Sequence, residues 1–111
     1  MKAYFLSFKK KYLQLLLENK KTTTIRKQNI FERDRIYPVR CGFFNKTEHY
    51  VKILSVKKKR VRELTEKDAR LDGFSSIDEL KEALRSIYSL KEDDYVYIYT
   101  LKFLSYKEKK N

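Results

Sequence analysis

Residues 19–27 read NKKTTTIRK, four cations around three consecutive hydroxyls. If KKTTTIR is a strand, alternation places Thr22, Thr24 and Arg26 on one face and Thr23 and Ile25 on the other, against the core. Two hydroxyls and a guanidinium, entered past Lys20 and Lys21, supply hydrogen-bond donors and positive charge for a phosphate or a carbonyl. A threonine hydroxyl becomes a nucleophile only when a base takes its proton. Lys21 is the candidate base, provided that burial or its cationic neighbours lower its pKa. The plainer alternative is a solvated strand face, on which threonine is simply a good residue. Lys21 and Thr24 lie three positions apart, so an unbroken strand would aim them away from each other. They converge only if Lys21 belongs to a turn, and Asn19 is a residue type that tolerates the left-handed end of a helix.

A second basic element, KKKRVR at residues 57–62, suits sequence-independent contact with a phosphate backbone through Lys57, Lys58, Lys59 and Arg60. Its alternative is a strand end kept from aggregating by lysines. Aromatic residues are 14% of the chain, nine of them tyrosine, and such rings stack on bases. Phe43, Phe44 and Tyr50, near an expected loop, are the candidate platforms, while Tyr95, Tyr97 and Tyr99 suit packing. The single Cys41 closes no internal disulfide, and one cysteine with one histidine, His49, is too small a set for structural zinc. No metal and no cofactor are expected.

The elements that must position these groups belong to one domain. A chain of 111 residues fits a single core, taken as residues 1–106 with a charged tail at 107–111. Two glycines exclude a glycine-rich phosphate loop. The net charge of +12 is uneven: residues 1–62 hold 18 Lys and Arg against 4 Asp and Glu, and residues 63–111 hold 9 against 11. Such self-repulsion in one half points to a polyanionic partner, although a lysine-rich surface also serves solubility and ion-pair networks. Apolar runs are shorter than a membrane span, and the start of the chain is too short and too aromatic for a signal peptide. A cytoplasmic monomer with no membrane contact is expected.

Alternation over residues 1–8 predicts a first strand. Ser7 is the candidate cap of a helix through Lys20, striped by Phe8, Tyr12, Leu15 and Leu16. The β-branched run at 22–25 then switches to strand. Residues 34–41 and 49–62 are the next strands, joined by a turn at Phe44, Asn45 and Lys46, with Pro38 marking an edge or a bulge. Thr65 with Asp68 and Ser76 with Glu79 are capping boxes, and Gly73 suits a left-handed helix end between them. The second of these helices is expected to bury Ile77, Leu80, Leu84, Ile87 and Tyr88. Residues 95–106, apolar at both parities, predict a central strand covered on both faces. The order β-α-β-β-β-α-α-β, with first and last strands paired, suggests a small α+β barrel or strongly curved sheet.

LSFKKKYLQLLLENKKTTTIRK resembles the opening of an ASCH domain, in which an apolar helix meets a G-K-K-T-x-T-x-R turn and strand. ELTEKDARLDGFSSIDELKEALRSIY is similar to the family's second landmark, and YVYIYTLKFL to its closing strand. Together they span nearly the whole chain in order. The resemblance implies a small PUA-like β-barrel with flanking helices and a basic cleft that binds RNA. One bacterial branch of the family deacetylates N4-acetylcytidine with Lys, Thr and Glu. By motif these fall on Lys21 as proton acceptor, Thr24 as nucleophile and Asp72, one methylene shorter than the family's Glu. Arg33 before Asp34 stands where the family commonly has Gly, and so does Asn19 before the lysine pair. Three functions are therefore weighed: binding of RNA or a nucleotide, hydrolysis of an acylated nucleoside, and ribonuclease activity. RNA or a modified nucleoside is the expected partner.

Overall fold

A computed structural model describes residues 2–42 and 45–104. Its elements run β1 (Leu6–Phe8), α1 (Lys10–Leu17), β2 (Thr23–Arg26), β3 (Ile36–Cys41), β4 (Asn45–Arg60), α2 (Glu66–Leu71), α3 (Ile77–Tyr88) and β5 (Tyr95–Leu104), with a 3-10 turn at Val61–Glu63. Phe43, Phe44, the expected extension of the last strand to Tyr106 and the tail at 107–111 lie outside the described residues.

The sheet order is β1-β3-β4-β5-β2, parallel between β1 and β3 and antiparallel elsewhere. The expected pairing of first and last strands does not occur. β4 spans 16 residues, so its residues 45–52 carry β3 while residues 50–60 carry β5. That leaves β1 and β2 at the two edges and β5 inside, as its apolar pattern requires. Register shifts between Pro38 and Arg40 and between Ile53 and Ser55 bend the ladders, and such bulges increase twist. The product is a curled, half-barrel sheet flanked by three helices.

β5 divides the core by parity. Tyr99 and Leu101 join Leu6, Phe8, Leu13 and Leu16 on the α1 side, whereas Val96 and Ile98 join Ile25, Ala69, Leu80 and Leu84 on the α2 and α3 side. Both of its faces therefore carry core residues. Along α3 the expected stripe holds at Leu80 and Leu84, with Ile77 and Tyr88 partly buried, but Ile87 is 48% exposed.

Local signals fix most boundaries. The box of Thr65 and Asp68 forms in both directions at the start of α2, and Ser76 accepts from the Glu79 amide at the start of α3. Ser7 does not cap α1. It lies in β1 opposite Arg40, and α1 starts after an extended Lys9. The helix also stops at Leu17 rather than Lys20, because Asn19 turns left-handed at φ 60°. Asn19 N–H then bonds the Leu16 carbonyl and Lys20 N–H the Leu15 carbonyl. This is a Schellman closure. α2 ends the same way, with Gly73 at φ 91°, its N–H on the Arg70 carbonyl and the Phe74 N–H on the Ala69 carbonyl. A Cβ at Gly73 would come within 3.0 Å of Leu15 Cδ1 and 3.4 Å of Lys21 Cβ. Gly73→Ala is accordingly expected to cost more than about 1 kcal/mol through the left-handed strain alone, whereas Asn19→Gly should be neutral or slightly stabilising. Urea midpoints of the two variants check this; an unaffected Gly73→Ala would contradict it.

Candidate functional site

The two Schellman turns press against each other. Thr22 N–H bonds the Leu71 carbonyl at 2.8 Å, and Lys21 N–H bonds the Leu15 carbonyl at 3.2 Å. Lys21 thus leaves the end of α1 and reaches the end of α2 before β2 begins. It belongs to the turn, as convergence on Thr24 demands. Its amine donates to Asp72 Oδ1 at 2.6 Å and to the Asp72 backbone oxygen at 3.2 Å. A cation on the last carbonyls of a helix also complements the helix dipole. Lys21 and Asp72 are each only 4% exposed.

Alternation alone gives Thr23 no role beyond facing the core. It is buried, and its hydroxyl lies 3.3 Å from Asp72 Oδ1, donating to the same oxygen as Lys21. Thr24 is equally buried rather than on a solvated face. Its hydroxyl accepts from Arg26 Nε at 2.8 Å, and Arg26 Nη2 is fixed on the Ser7 carbonyl at 2.9 Å. Lys21, Thr24, Arg26 and Asp72 all line one cleft of about 170 Å³.

Sequence reasoning misses the cleft's aromatic wall. Phe8, Tyr12, Phe74 and Tyr88 line it. The Arg26 guanidinium lies 5.1 Å from the Phe8 ring centre, and the Lys21 amine 5.6 Å from that of Tyr12. Helical spacing assigns Phe8 and Tyr12 to a core stripe instead. The available signal is Phe74, the residue after the left-handed Gly73, where a Schellman turn places an apolar contact; its ring packs 5.9 Å from Tyr12.

The remaining expected contacts are not brought to the cleft. Lys20 and Thr22 are exposed on the outside of the turn, Lys20 beside Glu18. Lys59 is bound to Asp68 at 2.7 Å, and Lys58 and Arg60 lie against Tyr95. Lys57 borders a separate groove with Lys59. Tyr50 sits on β4 and is not part of the cleft wall.

No family model matches the chain, and no curated protein is significantly similar to it. Solved structures are. An ASCH domain from Lactobacillus crispatus aligns with a TM-score of 0.77 at 16% identity, covering 92% of this chain and 80% of that one. An ASCH protein from Zymomonas mobilis aligns at 0.68 and 13%, covering 88% and 65%. An Enterococcus faecalis protein aligns at 0.64 and 17%, covering 87% and 69%. The chain has the ASCH-domain fold. Within that fold the Asn19 and Gly73 turns place Lys21 and Asp72 in contact.

Burial pushes Lys21 below the ordinary lysine value while Asp72 pulls it back up, and burial pushes Asp72 above the ordinary carboxylate value against the pull of Lys21. Burial thus works against both charges, and each partner's attraction holds the other against it. Removing one partner leaves the other buried alone, which typically costs about 3–5 kcal/mol. Lys21→Met should therefore be strongly destabilised near neutral pH. A carboxyl raised above its unfolded value stabilises the fold below that value and loses the contribution as pH rises through the folded pKa. The deficit of Lys21→Met should thus widen as pH climbs from about 4, near the ordinary value of 3.8. Lys21→Met/Asp72→Leu should be less destabilised than either single variant. Urea unfolding across pH measures this, and a small or pH-independent deficit would refute the coupling.

Proposed function

We propose that the chain is an RNA- or nucleotide-binding domain of the reducing cytoplasm that takes one unstacked base into the cleft. The observation that carries this reading is the coincidence of aromatic rings with fixed cationic and hydroxyl groups in one cleft. Phe8, Tyr12, Phe74 and Tyr88 line the space that Lys21, Thr24, Arg26 and Asp72 also line. Base recognition outside a duplex uses this combination: stacking on rings or guanidinium planes, and hydrogen bonds to the base edge. At about 170 Å³ the cleft suits a single ring system rather than a helix. In this reading Lys20 and Thr22, exposed outside the cleft on the turn that carries Lys21, would meet phosphates beyond the bound base. Arg26→Ala should weaken binding of a short single-stranded RNA by about tenfold, the worth of a charge-assisted hydrogen bond. Affinity should fall with salt at a log–log slope of about 0.7 per neutralised phosphate. Fluorescence anisotropy measures both, and absent or salt-indifferent binding would contradict the reading.

A second reading rests on a different observation: the amine and carboxylate at 2.6 Å share the cleft with the Thr24 hydroxyl. In an amidohydrolase for N4-acetylcytidine-type nucleosides, Lys21 would take the proton of Thr24, or of a water that Thr24 positions. The oxygen would attack the acyl carbon, and Asp72 would protonate the leaving nitrogen and regain its proton from Lys21. Where Thr24 itself attacks, a water deprotonated by Lys21 would then cleave the Thr24 ester, releasing acetate and returning the hydroxyl proton to Thr24. A lowered lysine and a raised carboxyl are the directions that these roles require. Arg26 Nε, donating to Thr24 Oγ1, leaves the hydroxyl proton free and supports the oxygen as that proton departs. Chromatography of N4-acetylcytidine incubated with the protein should then show cytidine, and Thr24→Ala should abolish it. Activity surviving that substitution would rule out the mechanism. No specific observation favours a ribonuclease.

A further inference from the structure

Alternation along the end of β4 divides residues 57–60 between the two faces of the sheet. On one face the charged ends of Lys58 and Arg60 lie 4.3 and 5.2 Å from the Tyr95 ring centre, and Arg60 Nε donates to the Tyr95 hydroxyl. Lys57 and Lys59 instead line a groove of about 330 Å³ between the sheet and α2, with Lys67 on the helix side. Register builds part of its lining. Thr23 is opposite Thr100, and Thr100 is opposite Ser55, so three hydroxyl residues form a row across β2, β5 and β4. Strands are spaced about 4.8 Å apart, so the row extends over roughly 10 Å, longer than one phosphate group.

The groove is short of acceptors. Among the described residues Asp68 is its one acidic residue, and it is bound to Lys59 at 2.7 Å. Among the described residues the Lys57 and Lys67 amines and the Ser55 and Thr100 hydroxyls make no hydrogen bond or ion pair. Unpartnered donors along a net-positive groove are complementary to a chain of anions. Thr23 ties this groove to the cleft, since its hydroxyl donates to Asp72 while the next residue, Thr24, lines the cleft itself.

We infer that this groove binds the phosphodiester backbone of a single-stranded RNA, with Lys57, Lys67, Ser55 and Thr100 touching the phosphates and Lys58 and Arg60 outside it. The inference rests on the RNA-binding reading of the cleft. The test is anisotropy of a labelled single-stranded RNA with the full chain, K57Q/K67Q and the charge-matched K58Q/K91Q. Binding by K57Q/K67Q should be weaker by roughly tenfold at low salt, with the salt slope flattened by about 0.7 for each phosphate that the variant no longer neutralises. K58Q/K91Q should stay close to wild type. Wild-type binding with an unchanged K57Q/K67Q overturns the groove and leaves the cleft reading intact, whereas absence of wild-type binding overturns both. Equal weakening in the two double variants would make the effect diffuse surface charge and overturn the groove. Polyglutamate that displaces the RNA as well as unlabelled RNA does would assign the groove to acidic polypeptides and also overturn the proposal.

Discussion

The contact on which the site depends is the buried pair of Lys21 and Asp72. Each residue follows a helix that ends in a left-handed turn, and each turn needs the other. Gly73 has no side chain where Leu15 and Lys21 pack, and the Lys21 amine holds the backbone carbonyl of Asp72, just past the end of α2, as well as its side chain. An ion pair taken out of water gains little by itself. Here it joins two chain reversals 51 residues apart, and it leaves two titratable groups at the back of an aromatic cleft.

β2 extends that constraint in two directions. Four residues long and at the sheet edge, it sends Thr24 and Arg26 to the cleft and Thr23 to Asp72 and the groove beyond. The three threonines have different surroundings: Thr22 is exposed, Thr23 holds the carboxylate, and Thr24 is held by Arg26. A residue with a methyl and a hydroxyl suits such a strand, because it packs on one side and donates on the other.

Much of this is legible in the sequence where the signal is local. The β-branched run, the capping residues at Thr65 and Ser76, and the left-handed residues Asn19 and Gly73 each act within a few positions and are seen where expected. Apolar residues at both parities correctly place β5 inside the sheet. What is not legible depends on long-range pairing. Ser7 has the chemistry of a cap, yet β3 holds it in a strand. Phe8 fits a helical stripe but ends β1, where it is buried in the core and also borders the cleft. The basic block looks like a single patch in one dimension, but alternation and Asp68 divide it in three. The resemblance to ASCH domains locates Asp72 relative to Lys21, which no spacing rule would pair.

In the proposed function the ligand enters the cleft beside the Lys21–Asp72 pair. Amide chemical shifts recorded while a short single-stranded RNA is titrated in at low salt test it most directly. The largest changes are expected at residues 21–26 and 72–74, with those of β3 nearly still. Changes confined to other surfaces, with residues 21–26 and 72–74 unmoved, would contradict it.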